Sequence, residues 1–84
     1  MLMSNTNYAK QLIQLGQNIA HYRKMYGMTQ EELAVRAGMS RTHLSNLEAP
    51  GKTTSISLEK LFTIAEVLHV SPSALLSSQF THDL

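Results

Sequence analysis

Apolar residues recur along this chain at intervals of three and four, and the first such series is Leu12, Leu15, Ile19 and Tyr22. That spacing places them on one face of a helix, because an α-helix turns once in 3.6 residues. Gly27 stands where a left-handed residue would close the helix, so the pattern predicts helix one from about Tyr8 to Tyr26. Ahead of it, MLMSNTN has no period and reads as a loose leader over residues 1–7. The run Thr29-Gln30-Glu31-Glu32 has the form of a capping box: the Thr29 hydroxyl accepts from the N–H of Glu32, and the Glu32 carboxylate accepts from the N–H of Thr29. Helix two therefore starts there and stops at Gly38. Ser40 is the next good N-cap, helix three covers about Arg41 to Glu48, and Ala49-Pro50-Gly51 ends it.

After a polar loop, Ser57 is a further N-cap, followed by Leu58, Leu61, Ile64, Ala65 and Leu68 at helical spacing. Those five are expected to face the core from helix four. Ser71-Pro72 pairs an N-cap with proline at the first helical position, where its missing N–H costs nothing, and a short helix five should turn Leu75 and Leu76 inward. No useful stretch alternates with period two. The fold class expected is all-α, a compact five-helix bundle over residues 8–77, with residues 78–84 as a tail whose apolar members are Phe80 and Leu84.

Size and composition narrow what such a bundle does. Eighty-four residues make one small domain, near the size at which a single core supplies only about 3–5 kcal/mol of net stability. Without cysteine there is neither a disulfide nor a thiolate metal site, and the cytoplasm is the default location. No apolar run exceeds three residues, so neither a signal-peptide core nor a membrane span is expected. The net charge of +1 is unevenly distributed: residues 1–20 carry +1, residues 21–52 carry +2 and residues 53–84 carry −2. Positive charge gathers around the helix two to helix three segment, which permits a polyanion-binding face.

Two short helices joined by a tight turn containing glycine form a helix-turn-helix, whose second helix can enter the DNA major groove. Residues 29–48 have that form. Ala34 is small where the two helices would cross, Gly38 supplies a positive φ, and Met39 is apolar to pin the turn to the core. Leu44 and Leu47 would anchor helix three from below, leaving Arg41, Thr42, Ser45 and Asn46 on its outer face. Arginine can donate twice to guanine, asparagine can pair bidentately with adenine, and threonine offers a hydroxyl and a methyl to thymine. For holding phosphate the candidates are Gln30 with the first N–H groups of helix two, Ser40 at the start of helix three, and Lys52, Thr53 and Thr54 in the following loop. His43, beside this face, suits a phosphate contact and a solvated position equally.

The segments IAHYRKMYGMTQEELAVRAGMSRTHLSNLE and SLEKLFTIAEVLHVSPSALL, with TQEELA, AG-x-S and LSNLE at fixed spacing, resemble the lambda-repressor and Cro-like (XRE-type) helix-turn-helix proteins. The resemblance covers roughly residues 15–76. It implies that Gln30 contacts phosphate, that Arg41, Thr42 and Asn46 face the bases, and that Arg23 forms an internal salt bridge with Glu48. Relative to that family the loop APGKTTSIS is about two residues longer, and His69 stands where many relatives have glycine. The expectation is sequence-specific binding of double-stranded DNA by a transcriptional regulator, a repressor of phage, mobile-element or restriction-modification-controller type, acting as a homodimer on an inverted-repeat operator. The alternative is a helix-turn-helix used as a protein-interaction or antitoxin-like module.

Other chemistry finds little support. The four histidines have no mutual spacing of three or four, so no metal site is expected, and Met25, Met28 and Met39 read as core filler rather than a cofactor pocket. No local motif arranges a nucleophile with a base, so no enzyme, cofactor or small-molecule ligand is expected. Phe62 and Val67 widen the apolar stripe of helix four beyond what one core needs, and with Phe80 they are the candidates for a homodimer contact.

Overall fold

The computed structural model describes residues 6–78, with side chains from residue 8 onward. Every regular element among them is a helix: α1 (Thr6–Met25), α2 (Gln30–Ala37), α3 (Arg41–Glu48), α4 (Leu58–Leu68) and α5 (Pro72–Leu76). Helix α1 begins two residues before Tyr8, so residues 6 and 7 belong to it and not to a leader. They carry no apolar period, and a terminal turn of helix needs only backbone geometry. Residues 1–5, and the tail with Phe80 and Leu84, lie outside the described residues.

Local chemistry sets each boundary. Gly27 takes φ 75° and closes α1, with its N–H donating to the Lys24 carbonyl and that of Met28 to the Arg23 carbonyl, both at 3.0 Å. At α2 both arms of the capping box form, Glu32 N–H to Thr29 Oγ1 at 3.0 Å and Thr29 N–H to Glu32 Oε1 at 2.9 Å. Gly38 ends α2 at φ 68°. Ser40, Ser57 and Ser71 each cap the helix that follows by accepting an N–H with the hydroxyl. Pro50 forces the residue before it out of the helical region, and Ala49, at ψ 131°, ends α3 accordingly.

Helix α1 packs against α3, α5 and α4, while α2 packs against α3 and α4. Their shared core contains Leu15, Ile19, Leu33, Ala34, Ala37, Leu44, Leu47, Leu61, Ile64, Ala65, Leu68 and Leu75. Two close fits shape this arrangement. Gly16 lies against the end of α3, where a Cβ would overlap the Leu47 carbonyl oxygen and approach its carbon to 2.9 Å. Asn18 is fully buried and donates to the carbonyls of Leu75 at 2.9 Å and Ser77 at 2.6 Å, while its Oδ1 accepts from Gln14. One side chain thereby fastens the end of α5 to α1.

Three expected core residues are elsewhere. Leu58 is 65% exposed, Leu76 59% and Met25 69%. Each is the first or last residue of its helix, and Leu76 lines a shallow depression with Lys10, Gln11 and Gln14 of α1 instead of entering the core. Met28 is buried and Met39 packs partly on the core.

His69 closes α4 at φ 59° and is the one non-glycine residue with positive φ among those described. Its ring lies 5.3 Å from that of Tyr26. An L-residue in this region is strained by about 1–2 kcal/mol, and glycine would relieve that at a smaller cost in chain entropy. His69→Gly should therefore stabilise the domain by about 0.5–1 kcal/mol in urea unfolding; a net loss would mean that the Tyr26 contact outweighs the strain.

Candidate nucleic-acid interface

Helix α3 is amphipathic over only two turns. Leu44 and Leu47 are buried in the core, whereas Arg41, Thr42 and Ser45 are exposed and Asn46 is half-buried. The last four line one shallow polar depression on the outer surface. Eight residues are too few to hold a helix in water by themselves, so α3 owes its order to the Ser40 cap and to those two leucines.

Behind α3, Glu48 joins three helices. Its carboxylate accepts from Arg23 Nε and Nη2, both at 2.8 Å, and from Gln30 Nε2 at 2.9 Å. Arg23 also donates through Nη1 to the Met28 carbonyl at 2.7 Å. The pair is almost wholly enclosed, with side-chain exposures of 9% for Arg23 and 5% for Glu48. Gln30 thus gives one of its two amide N–H groups to Glu48. At the mouth of α2, the N–H groups of the first helical residues, Gln30 and Glu31, have no acceptor within the helix.

Lys60 reaches from α4 across the turn, donating to the carbonyls of Ala37 at 2.7 Å and Gly38 at 3.0 Å. It satisfies the unpaired end of α2 and sets the turn against α4. Sequence reasoning passed over Lys60, Asn18 and Gly16. A glycine inside a helical pattern is a usable signal, because it costs about 1 kcal/mol relative to alanine and so calls for a reason. Nothing comparable marks a lysine bound to backbone 22 residues away.

The loop after α3 lies along that helix. A turn through Pro50 and Gly51 is closed by Lys52 N–H to the Ala49 carbonyl at 3.2 Å. Lys52 Nζ then donates to Asn46 Oδ1 at 3.1 Å. His43 Nε2 donates to the Ser55 carbonyl at 3.2 Å, so that nitrogen carries the proton. Thr53 is exposed and Thr54 half-buried. On α4, Phe62 is exposed, whereas Val67 packs partly on the core.

A scaffold helix, a glycine turn and a second helix whose polar face is presented outward define a helix-turn-helix domain. The comparisons agree. Residues 19–75 match the family model described as helix-turn-helix. The control protein C.SmaI of Serratia marcescens is 32% identical over 65 residues, 77% of this chain and 75% of that protein. The HTH-type transcriptional regulator SinR of Bacillus licheniformis is 37% identical over 65 residues, again 77% of this chain but 58% of that protein. Among solved structures, the restriction-modification controller protein C.AhdI from Aeromonas hydrophila superposes with a TM-score of 0.71 at 27% identity, covering 79% of this chain and 97% of that one. The chain belongs to the helix-turn-helix family, of the XRE type, a class of DNA-binding transcription regulators.

Proposed function

We propose that the chain binds double-stranded DNA sequence-specifically as a homodimeric transcriptional repressor on an inverted-repeat operator, with α3 lying in the major groove. The observation that carries this reading is the division of α3: two leucines hold it to the core while Arg41, Thr42, Ser45 and Asn46 face outward. In this reading those four meet base edges, and the N–H groups of Gln30 and Glu31 meet a phosphate at the positive end of α2. Ser40, Thr53 and Thr54 flank the same surface and serve as further phosphate contacts. One N–H of the Gln30 amide is held by Glu48, which orients the side chain and leaves the second N–H of the same nitrogen for a phosphate. The exposed Phe62 on one margin of the buried stripe of α4, and the half-buried Val67 on the other, contribute to the subunit contact, setting half-sites about 34 Å apart on one face of the duplex. Restriction-modification control is the favoured setting, because the structural neighbour C.AhdI is a restriction-modification controller protein and covers 79% of this chain.

Selection of bound duplexes from a random pool tests this. A preferred inverted repeat should emerge, and Arg41→Ala or Asn46→Ala should cost about 1–3 kcal/mol on it while sparing random DNA. Equal losses on every sequence would sink base reading, and an affinity indifferent to salt would favour a protein-interaction module instead.

A further inference from the structure

We infer that Lys52 is a specificity-determining residue: by occupying Asn46 Oδ1 it makes Asn46 present only donors, so that the pair selects guanine over adenine. This rests on the reading of α3 as the base-reading helix. An asparagine free to choose offers a donor and an acceptor side by side, the pattern that complements adenine N7 and its N6 amino group. Here the choice is removed. An ammonium has only N–H groups to give, so the atom of Asn46 that meets Lys52 Nζ at 3.1 Å is the carboxamide oxygen. The nitrogen is turned the other way. Although the oxygen keeps a second lone pair, an adenine amino group approaching it would place its own hydrogens beside a cation. Guanine presents two acceptors, N7 and O6, to the same place, and both the carboxamide N–H groups and the ammonium can meet them.

Lys52 is held there by the chain and not by its own flexible stem alone. Its N–H closes the turn onto Ala49, and three residues further on Ser55 is bonded to His43. His43 and Asn46 lie three apart on α3, and their partners Ser55 and Lys52 lie three apart in the loop. The loop is therefore stitched antiparallel along one flank of the reading helix.

The test compares wild type, Lys52→Met, Lys52→Arg, Asn46→Ala and the Lys52→Met/Asn46→Ala double variant. Methionine keeps the apolar stem and removes the charge. In the free protein, the Asn46 side-chain amide resonances should move in Lys52→Met and stay near wild type in Lys52→Arg; unchanged resonances in Lys52→Met overturn the inference without reference to DNA. On DNA, the base pair whose preference disappears in Asn46→Ala should favour guanine in wild type. Lys52→Met should shift it toward adenine by about tenfold, within the range one bidentate contact commands, and the double variant should show no such shift. A uniform loss across all sequences, with the salt slope reduced by about one, would make Lys52 a plain phosphate contact and overturn the inference while leaving base reading intact. If Asn46→Ala alters no base preference, the reading of α3 fails first and this inference with it.

Discussion

Replacing Gly16 by alanine should remove most of the stability of the domain. Helix propensity argues for the opposite sign, since alanine is favoured over glycine inside a helix by about 1 kcal/mol. Space decides. The new methyl would overlap the Leu47 carbonyl oxygen and crowd Leu47 C, with Glu48 Cα 3.5 Å away. These are backbone atoms that no rotamer change can move. Withdrawing the end of α3 would lift Leu47 and Glu48 from their buried positions together. We expect a net loss of about 3 kcal/mol, the upper part of the usual overpacking range, against a total near 3–5 kcal/mol for a domain of this size. Urea titration followed by circular dichroism measures it, and a variant as stable as wild type would show that α1 and α3 do not meet so closely.

Arg23→Met should cost about 3–5 kcal/mol, the usual consequence of stranding one charge of an enclosed pair. Glu48 would keep Gln30 as its only remaining donor of the three, and the Met28 carbonyl would lose the Arg23 Nη1 bond. Adding Glu48→Leu removes the stranded carboxylate, so the double variant should be more stable than Arg23→Met alone, because well-packed apolar residues often replace a buried ion pair at little cost. If the second substitution made matters worse by its full individual cost, the two side chains would not be coupled. Base preference should survive in the double variant at low temperature, since neither residue faces outward.

Much of this architecture was legible in the chain because its signals are local. Thr29 with Glu32, Ser40, Ser57 and Ser71-Pro72 mark helix starts through hydrogen bonds spanning three residues, and Gly27 and Gly38 mark ends through their own backbone angles. The outward set on α3 followed from the same periodicity, once Leu44 and Leu47 were assigned to the core. What escaped is non-local. Gly16 matters because of Leu47, Asn18 because of Leu75 and Ser77, and Lys60 because of Ala37 and Gly38. Each partner lies more than twenty residues away, beyond what periodicity can see. Leu58, Leu76 and Met25 failed for a related reason: the stripe tells which side of a helix is apolar, but not which of its end residues a neighbour covers.

The division of labour on α3 also bears on how such a protein changes over time. Arg41, Thr42 and Ser45 contribute nothing to the core, and Leu44 and Leu47 contribute nothing to the outer surface. Substitutions at the first three positions leave the fold unburdened, so a lineage can drift from one recognised sequence to another without passing through an unfolded ancestor. Asn46 is the exception: it is bonded to the loop through Lys52, and any change there is inherited by two positions at once.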